Sequence, residues 1–270
     1  MAIEILNKMQ SLLICIAHQH DESRPSHLKT IIDRFKGYDM NVDIVIDTNK
    51  HFDLKMDDVD LYVHENLSHR YRLTWMHRWH FIEDIDYYDW FMYVEDDMDI
   101  PLENFKMYME NYKLMNTLSK YDDYKHNNYI PSFVRVEKLN NKEYNVDNLS
   151  PQMINLIKIG DKEFTTIGNS YHGFWIMAQK DLKESITDDF YNKTSISRET
   201  AASYPTWELR KTPLLMIENN QASPLCYSYH LSNNYVTSDS PFGKVEMKDL
   251  LYYKNDDEVI KDVIINKKYN

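Results

Sequence analysis

The first half of the chain alternates between two hydrophobic patterns. Short continuous apolar runs are typical of buried strands, and apolar residues spaced by three or four positions are typical of amphipathic helices. This alternation predicts a mostly parallel sheet with helices on its faces. In chain order, the pattern predicts a strand at 11–17, a helix at 27–36, strands at 41–47 and 59–65, a helix at 68–86, a strand at 90–94 and a helix that begins at Leu102.

The second half of the chain is less regular. Strands are predicted within "YIPSFVRVEK", "SYHGFWIMAQKDL" and "PLCYSYHLSNNY", and the polar stretch at 140–152 is the best internal boundary. A helix near Ser197 is expected to be interrupted at Pro205, because proline lacks the amide donor that a helix interior requires. We therefore expect a single α/β domain with one half at 1–130, a second half at 131–245 and a charged helical tail at 246–270.

Composition and charge narrow the classes of function. The chain has 270 residues, of which 43% are hydrophobic, so it can bury a sizeable core. Its net charge of −12 disfavours nucleic acid as a partner, because affinity for that backbone comes from Lys and Arg, but a nucleotide needs only a local cationic site. No apolar run is long enough for a membrane span or a signal peptide core, so we expect a cytoplasmic protein. Cys15 and Cys226 lie in apolar sequence and are expected to be buried free thiols.

A hydrophobic strand runs directly into an acidic cluster in "WFMYVEDDMDIP", residues 90–101. Neighbouring carboxylates repel one another unless a cation lies on them, and ligands of open α/β sheets bind outside the carboxyl ends of the strands. Mg²⁺ and Mn²⁺ take carboxylate oxygens together with substrate phosphates. The cluster therefore predicts a divalent-metal site, with a solvated acidic loop as the alternative. Asp97 belongs to both possible registers, Glu95-Asp96-Asp97 and Asp97-Met98-Asp99; we favour the first, with Asp99 capping the turn before Pro101.

This stretch resembles the DxD motif at the end of the fourth strand in GT-A-fold glycosyltransferases. "SLLICIAHQHDESRPSHL" resembles the first strand and nucleotide loop of that family, and "YIPSFVRVE" and "YHGFWIM" resemble later core strands. "YSYHLSNNY" resembles the segment from which many members offer a histidine to the metal. The resemblance covers about residues 11–236 and depends on the order of these short motifs. It implies a GT-A-like, Rossmann-related fold, a bound Mn²⁺ or Mg²⁺, and a nucleotide-diphosphate sugar as donor for a hexosyltransferase-type reaction.

The resemblance also implies roles for particular residues. The metal ligands would be Asp97, Glu95 and His230. Arg72 and Arg78 belong to a basic cluster on the predicted 68–86 helix, where they would either reach the donor diphosphate or pair with acids of the same helix. His18 and Asp47 end two predicted strands and are expected near the base or ribose, although His18 could equally hydrogen-bond the backbone. The candidate donor-binding residues are His18, Asp47, Arg72, Arg78, Glu95 and Asp96.

A carboxylate must accept the proton of the acceptor hydroxyl if the transfer inverts configuration, which we favour over retention. Glu199 and Glu208 are the candidates, and the acceptor is a glycan, a protein or a small molecule. Glu199 equally suits a helix N-terminus, where a carboxylate is stabilised by the helix dipole. Five aromatic residues are candidate sugar platforms, although most are expected in the core: Tyr171, Phe174, Trp175, Tyr204 and Trp207.

Two other classes of function stay open at this point. A metal-dependent hydrolase or non-haem iron enzyme could use His18, Asp21 and His230, although the chain lacks a helical His-Glu-x-x-His or comparable spacing. A non-catalytic nucleotide-sugar-binding protein could have the same fold. An activity that depends on a nucleotide sugar, and not on bound zinc or iron, would distinguish a glycosyltransferase from the first class. Metal binding without turnover of the donor would indicate the second class.

Overall fold

The computed structural model describes residues 9–22, 26–53, 56, 58–118, 128–167, 172–187, 190, 197–252 and 261–263. The chain forms two compact units, one of Met1–Asp97 with Gly173–Leu209 and one of Met98–His172 with Arg210–Asn270. The boundaries expected at 130 and 245 stay a prediction. The chain passes from one unit to the other three times, and no change in composition marks these points.

The structure contains short strands and a few helices. The strands are β1 (Ser11–His18), β2 (Asn41–Thr48), β3 (Asp60–Val63), β4 (Trp90–Glu95), β5 (Met98–Asp99), β6 (Tyr129–Pro131), β7 (Val134–Leu139), β8 (Lys142–Asn145), β9 (Gln152–Met153), β10 (Leu156–Ile159), β11 (Lys162–Thr166), β12 (Phe174–Ala178), β13 (Thr212–Glu218), β14 (Gln221–Ala222), β15 (Tyr227–His230), β16 (Val245–Glu246), β17 (Leu251–Tyr252) and β18 (Lys261–Val263). The α-helices are α1 (Leu28–Lys36), α2 (His77–Glu83), α3 (Leu102–Leu118), α4 (Gln179–Ser185) and α5 (Arg198–Glu208), and 3-10 helices occupy Arg70–Trp75, Pro224–Cys226 and Met247–Asp249.

The first unit is built on a five-stranded sheet in the order β12-β4-β1-β2-β3. All neighbours in it are parallel except β12, which runs antiparallel to β4. The two central strands β1 and β4 are almost entirely buried, as their continuous apolar sequence predicts. Helix α1 buries the four residues that recur at helical spacing, Leu28, Ile31, Ile32 and Phe35. The predicted α/β class, a mostly parallel sheet flanked by helices, is confirmed.

The second unit contains smaller sheets with more antiparallel pairing. In the part of it that the structure describes, one sheet has the order β14-β13-β11-β10-β18 with β6 beside β13, another has the order β16-β8-β7-β15-β5, and β17 pairs with β9. The polar stretch at 140–152 is not a linker, because it contains β8, which forms a hairpin with β7. Asp99 lies in β5 and is buried, so the expected cap before Pro101 was wrong.

Helix α5 continues through Pro205, whereas we expected the helix to be interrupted there. Proline has no amide hydrogen, so the carbonyl of Ala201, four residues earlier, has no donor within the helix. The Nη2 of Arg78 donates a hydrogen bond to this carbonyl at 2.6 Å. A side chain from another element thus supplies the donor that Pro205 lacks.

The C-terminal tail also differs from the expected helix in its described residues. These form the 3-10 helix at Met247–Asp249 and the strands β17 and β18. β17 pairs with β9 and β18 with β10, so strand pairing outweighs the local helical pattern. Residues 253–260 and 264–270 lie outside the described part of the chain.

Two smaller expectations concern the membrane and the cysteines. Across the described ranges, no helix is both long enough and apolar enough to cross a bilayer. Cys15 and Cys226 are free and buried, as predicted, and burial raises the pKa of both thiols.

Candidate functional site

The carboxyl ends of β1, β2 and β4 lie side by side at one edge of the first unit's sheet. In the parallel registers, Ala17 of β1 lies opposite both Asp47 of β2 and Glu95 of β4. His18 follows as the last residue of β1. Since open α/β sheets bind ligands at this kind of edge, it is the candidate site of the first unit.

His18 contacts the acidic motif directly. Its ring is buried, and its Nδ1 is hydrogen-bonded to Oδ2 of Asp96. Burial raises the pKa of Asp96 and the charge of Asp97 adds to the rise, although the interaction with His18 opposes it. Beside this pair, the rings of His20 and Phe52 stack with their centroids 4.9 Å apart. The edge therefore combines carboxylates with a small aromatic surface, and a contact of His18 with base or ribose stays a prediction.

Glu95 has a cationic neighbour that the sequence did not indicate. Its side chain is buried, and its Oε1 lies 3.6 Å from Nε of Arg198, the first residue of α5. The contact brings the N-terminus of α5 to the acidic motif within the first unit. The only sequence signal for this contact was that an arginine directly precedes the candidate base Glu199.

Asp47 is a buried acceptor for two histidines. The residue is 1% exposed, and its Oδ1 lies 2.8 Å from Nε2 of His64 and 3.1 Å from Nε2 of His80. Burial opposes the charged form of His80, but the hydrogen bond and charge of Asp47 prevail and raise its pKa. The two histidines are more exposed than Asp47, and a contact between Asp47 and a base or ribose stays a prediction. His64 directly follows β3 at the same edge of the sheet. Its place at the end of a predicted strand was the sequence signal that could have indicated this histidine.

The two predicted diphosphate-binding arginines have different environments. Arg72 is exposed on the 3-10 helix, so its role stays a prediction. Arg78 is 1% exposed, and its Nη1 and Nη2 donate to the carbonyls of Phe190 at 2.8 Å and Ala201 at 2.6 Å. Burial lowers the pKa of Arg78 to about 9. The guanidinium of Arg78 therefore contacts the interior of the first unit in this structure, and a role of Arg78 in donor binding stays a prediction.

His230 ends β15 in the second unit and has the buried carboxylate partner that a metal-binding histidine requires. Its Nδ1 lies 2.5 Å from Oε1 of Glu137 on β7. Outer-shell carboxylates of this kind orient metal-binding imidazoles. Glu95 and Asp97 belong to the first unit and His230 to the second, so their use of one common metal stays a prediction.

The two candidate bases occupy opposite ends of α5. They are nine positions apart, which corresponds to about 13 Å along a helix axis. Glu199 is in the first turn, and its Oε2 accepts a hydrogen bond from Oγ of the N-cap residue Ser197 at 2.8 Å. Glu208 is the last helical residue. Glu199 lies at the end of α5 that contacts the acidic motif, and Glu208 does not. The same position in the first helical turn also fits the alternative role of Glu199, in which the helix dipole stabilises its carboxylate.

Most of the predicted sugar platforms are core residues. Phe174, Trp175 and Tyr204 are buried, and Nε1 of Trp175 donates to a backbone carbonyl of α5. Trp207 is 48% exposed and stays a candidate. Tyr171 lies outside the described residues.

A buried polar network in the second unit had no signal in the sequence. Asp147 accepts hydrogen bonds from Nε and Nη2 of Arg135 at 3.0 and 2.8 Å and lies 3.2 Å from Nδ1 of His172. Burial opposes ionisation of Asp147, but the charges and hydrogen bonds of Arg135 and His172 lower its pKa. These residues are 12 and 25 positions from Asp147, and no local pattern links them.

The donor set at the first unit's edge fits a hard cation that completes its coordination with substrate oxygens. Among the described residues, no three His, Cys, Asp or Glu side chains converge in a group that could hold a metal. Mg²⁺ is commonly held by one or two carboxylates together with phosphates and water. Asp97 is half-buried in the turn after β4, and burial raises the pKa of the neighbouring Asp96.

A separate cleft of about 380 Å³ in the second unit is unsuited to a nucleotide. Its lining contains five carboxylates and two lysines around an apolar floor, so it would repel a diphosphate. The charged lining residues are Glu103, Lys106, Glu110, Asp161, Lys162, Glu163 and Glu218.

Comparison with known proteins adds little to this geometry. No protein-family model and no curated protein sequence matches the chain. Among solved structures, the chain is similar to a crystal structure of 4-diphosphocytidyl-2C-methyl-D-erythritol synthase, with 11% identity, a TM-score of 0.41, and coverage of 81% of this chain and 92% of that one. So low a TM-score leaves the class of this chain to its own topology and side chains.

Proposed function

We propose that the protein is a metal-dependent glycosyltransferase that moves a sugar from a nucleotide-diphosphate sugar to an acceptor hydroxyl. The observation that carries the proposal is the carboxyl edge of the first unit. There, Glu95 ends a buried parallel strand, Asp96 and Asp97 follow it, and His18 from the neighbouring strand contacts Asp96. An acidic turn at this edge is suited to a cation that in turn binds phosphate oxygens.

Each residue of this edge has a distinct part in the proposal. Asp97, with Glu95, would hold the ion, and His18 would keep Asp96 oriented beside it. A bound Mn²⁺ or Mg²⁺ would supply charge stabilisation for the departing diphosphate. Arg198 lies 3.6 Å from Glu95, and its guanidinium would donate charge-assisted hydrogen bonds to donor phosphates.

Glu199 is the better-supported base for an inverting transfer. Its carboxylate is about half exposed and adjoins Arg198 at the end of α5 that contacts the motif. In that position it would accept the proton of the attacking hydroxyl, which is a poor nucleophile at neutral pH. Ser197, whose hydroxyl donates to Glu199, would orient the carboxylate.

The test measures binding of nucleoside diphosphates and nucleotide sugars, with and without Mn²⁺, by thermal shift and by calorimetry. The wild-type protein should bind one nucleotide class in a Mn²⁺-dependent way, and Asp97→Asn should lose that dependence while its melting temperature without ligand stays the same or rises. Asp86→Asn is the matched control, because Asp86 is an exposed carboxylate of the same unit. Unchanged Mn²⁺-dependent binding by Asp97→Asn would contradict the assignment. Binding without any sugar transfer would instead indicate a non-catalytic binding protein.

A further inference from the structure

Glu137 combines complete burial with contacts through both carboxylate oxygens. It is 0% exposed on β7. Its Oε1 lies 2.5 Å from Nδ1 of His230 and accepts a hydrogen bond from the backbone amide of Tyr235 at 3.3 Å. Its Oε2 accepts from the backbone amide of Val236 at 2.6 Å. One carboxylate thus connects the end of β15 with the backbone of the loop that follows it.

An ionised carboxylate only accepts hydrogen bonds, so its imidazole partner must donate. The proton of a neutral His230 is therefore on Nδ1, and the lone pair of the ring is on Nε2. We propose that Glu137 is a positioning residue that fixes His230 in this tautomer and so selects Nε2 as the nitrogen for metal binding. The inference rests on the proposed function together with the predicted role of His230 as a further metal ligand.

Ser232 does not set the tautomer. Its Oγ lies 3.0 Å from Nε2 and 3.3 Å from Nδ1 of His230. The two ring nitrogens point away from each other in the ring plane, so an oxygen in line with either one would lie far from the other. Nearly equal distances place the hydroxyl beside the ring, where it favours neither nitrogen. Glu137, by contrast, contacts one ring nitrogen only, Nδ1, and so distinguishes the two.

A glutamine at position 137 should reverse the tautomer at nearly constant volume. The glutamine side chain has one oxygen and one NH₂ group, whereas both oxygens of the Glu137 carboxylate are acceptors. The backbone amides of Val236 and Tyr235 can only donate, and the amide of Val236 is the closer, at 2.6 Å against 3.3 Å, so the oxygen should face Val236. The NH₂ group then faces Nδ1 of His230, which must become an acceptor and move its proton to Nε2. That removes the lone pair that the metal would use.

The first measurement reads the tautomer without any metal. Long-range ¹⁵N–¹H correlation spectra of ¹⁵N-histidine protein should show His230, assigned by loss of its signals in His230→Ala, as Nδ1-protonated in the wild type. Glu137→Gln should convert it to the Nε2-protonated form. Glu143→Gln is the matched control, since Glu143 is a partly exposed carboxylate of the same unit, on β8. An Nε2-protonated His230 in the wild type would overturn the proposal even if Glu137→Gln does not fold.

The second measurement is Mn²⁺ affinity by electron paramagnetic resonance. Loss of an outer-shell partner typically weakens metal binding 10–100-fold, and we expect a loss of about that size for Glu137→Gln. In a His230→Ala background, Glu137→Gln should cause no further loss, whereas a general structural effect would be additive. Additive losses would overturn the positioning role. If the wild type binds no Mn²⁺, the metal in the proposed function fails, and the tautomer spectra alone decide the role of Glu137.

Discussion

Three buried acids in the two units share one arrangement, in which an acid on or next to a strand contacts a histidine or an arginine. Asp47 holds two imidazoles, Asp147 holds an arginine and an imidazole, and Glu137 holds His230. Burial of an unpaired charge is costly, so removal of one partner should destabilise the protein because the other partner stays buried without its counter-charge. This arrangement restricts imidazole tautomers at positions where a ligand or proton could be bound.

At the residue scale, Asp147→Asn should destabilise the protein at neutral pH by about 3 kcal/mol, because the buried charge of Arg135 loses its carboxylate partner. The pKa of Asp147 is lowered in the folded state. Its contribution to stability is therefore fully present above the unfolded pKa of about 3.9 and is lost as pH falls through the lower folded value. The difference between wild type and mutant should narrow below about pH 4.

Urea unfolding at neutral and acidic pH measures this effect. Asp239→Asn serves as the control, because Asp239 is an exposed acid of the same unit. A wild-type advantage that stays constant down to the lowest pH at which the protein folds would show that the charge of Asp147 contributes nothing.

At the element scale, α5 depends on a residue more than a hundred positions away. Arg78 donates to the carbonyl of Ala201, which Pro205 leaves without a helical donor. Arg78→Met should cost about 2–4 kcal/mol, because the carbonyls of Ala201 and Phe190 both lose their donor inside the protein. In a Pro205→Ala background, the restored amide donates to Ala201, and the cost of Arg78→Met should fall by about 1 kcal/mol.

A double-mutant cycle by chemical denaturation isolates this coupling from the entropic effect of removing proline. Equal costs of Arg78→Met in the two backgrounds would mean that Arg78 does not act through the helix gap at Pro205. The cycle thus distinguishes a specific carbonyl contact from general packing of the arginine.

The position of α5 also separates the two candidate bases. Glu199→Gln should lower turnover by about 10²–10⁴-fold with little change in donor affinity, because the amide keeps its size but no longer accepts a proton. Glu208→Gln, at the far end of the same helix, is the matched control and should stay within a few-fold of wild type. Transfer rates and donor dissociation constants for both variants test this. Near-normal transfer by Glu199→Gln would place the base elsewhere or indicate a retaining mechanism.

Local sequence patterns predicted most elements of the first unit, because buried parallel strands and amphipathic helices have characteristic periods. The helix expected at 68–86 was too long, since it is divided into a 3-10 turn and the shorter α2. The hairpin of β7 and β8 was missed, although Asn140 and Asn141 adopt the left-handed conformation that two-residue hairpin turns require. The pair Asn140-Asn141 just after the predicted strand was the signal that could have indicated the turn.

The side-chain partners were much less predictable than the elements. The end of β1 and the acidic end of β4 could be placed at one edge because parallel strands share a direction. Glu137 and His230 are 93 positions apart, and Arg78 and Ala201 are 123 apart. No periodicity links residues at such separations, so the sequence could not show which charges are buried and paired. The contacts of Arg78 with the carbonyls of Phe190 and Ala201 accordingly had no signal in the sequence.

At the scale of the whole molecule, the proposed nucleotide site has to bind an anion against the field of a protein whose net charge is −12. A bound metal and the guanidinium of Arg198, both placed by the proposal at the first unit's edge, would offset that field locally. The cleft in the second unit has an excess of carboxylates and should stay empty of nucleotide.

Hydrogen–deuterium exchange with a nucleoside diphosphate and Mn²⁺ should therefore show slower exchange at residues 18–22, 47–53 and 95–97. Ligand binding slows local opening where the ligand lies, so protection locates the site without a measurement of activity. Mn²⁺ alone should protect mainly 95–97, and Asp97→Asn should lose protection in all three segments. Peptides covering 103–110 and 216–218, which line the acidic cleft, are internal controls and should be unchanged. Protection confined to those control peptides would move the nucleotide site to the second unit and contradict the assignment of the acidic edge.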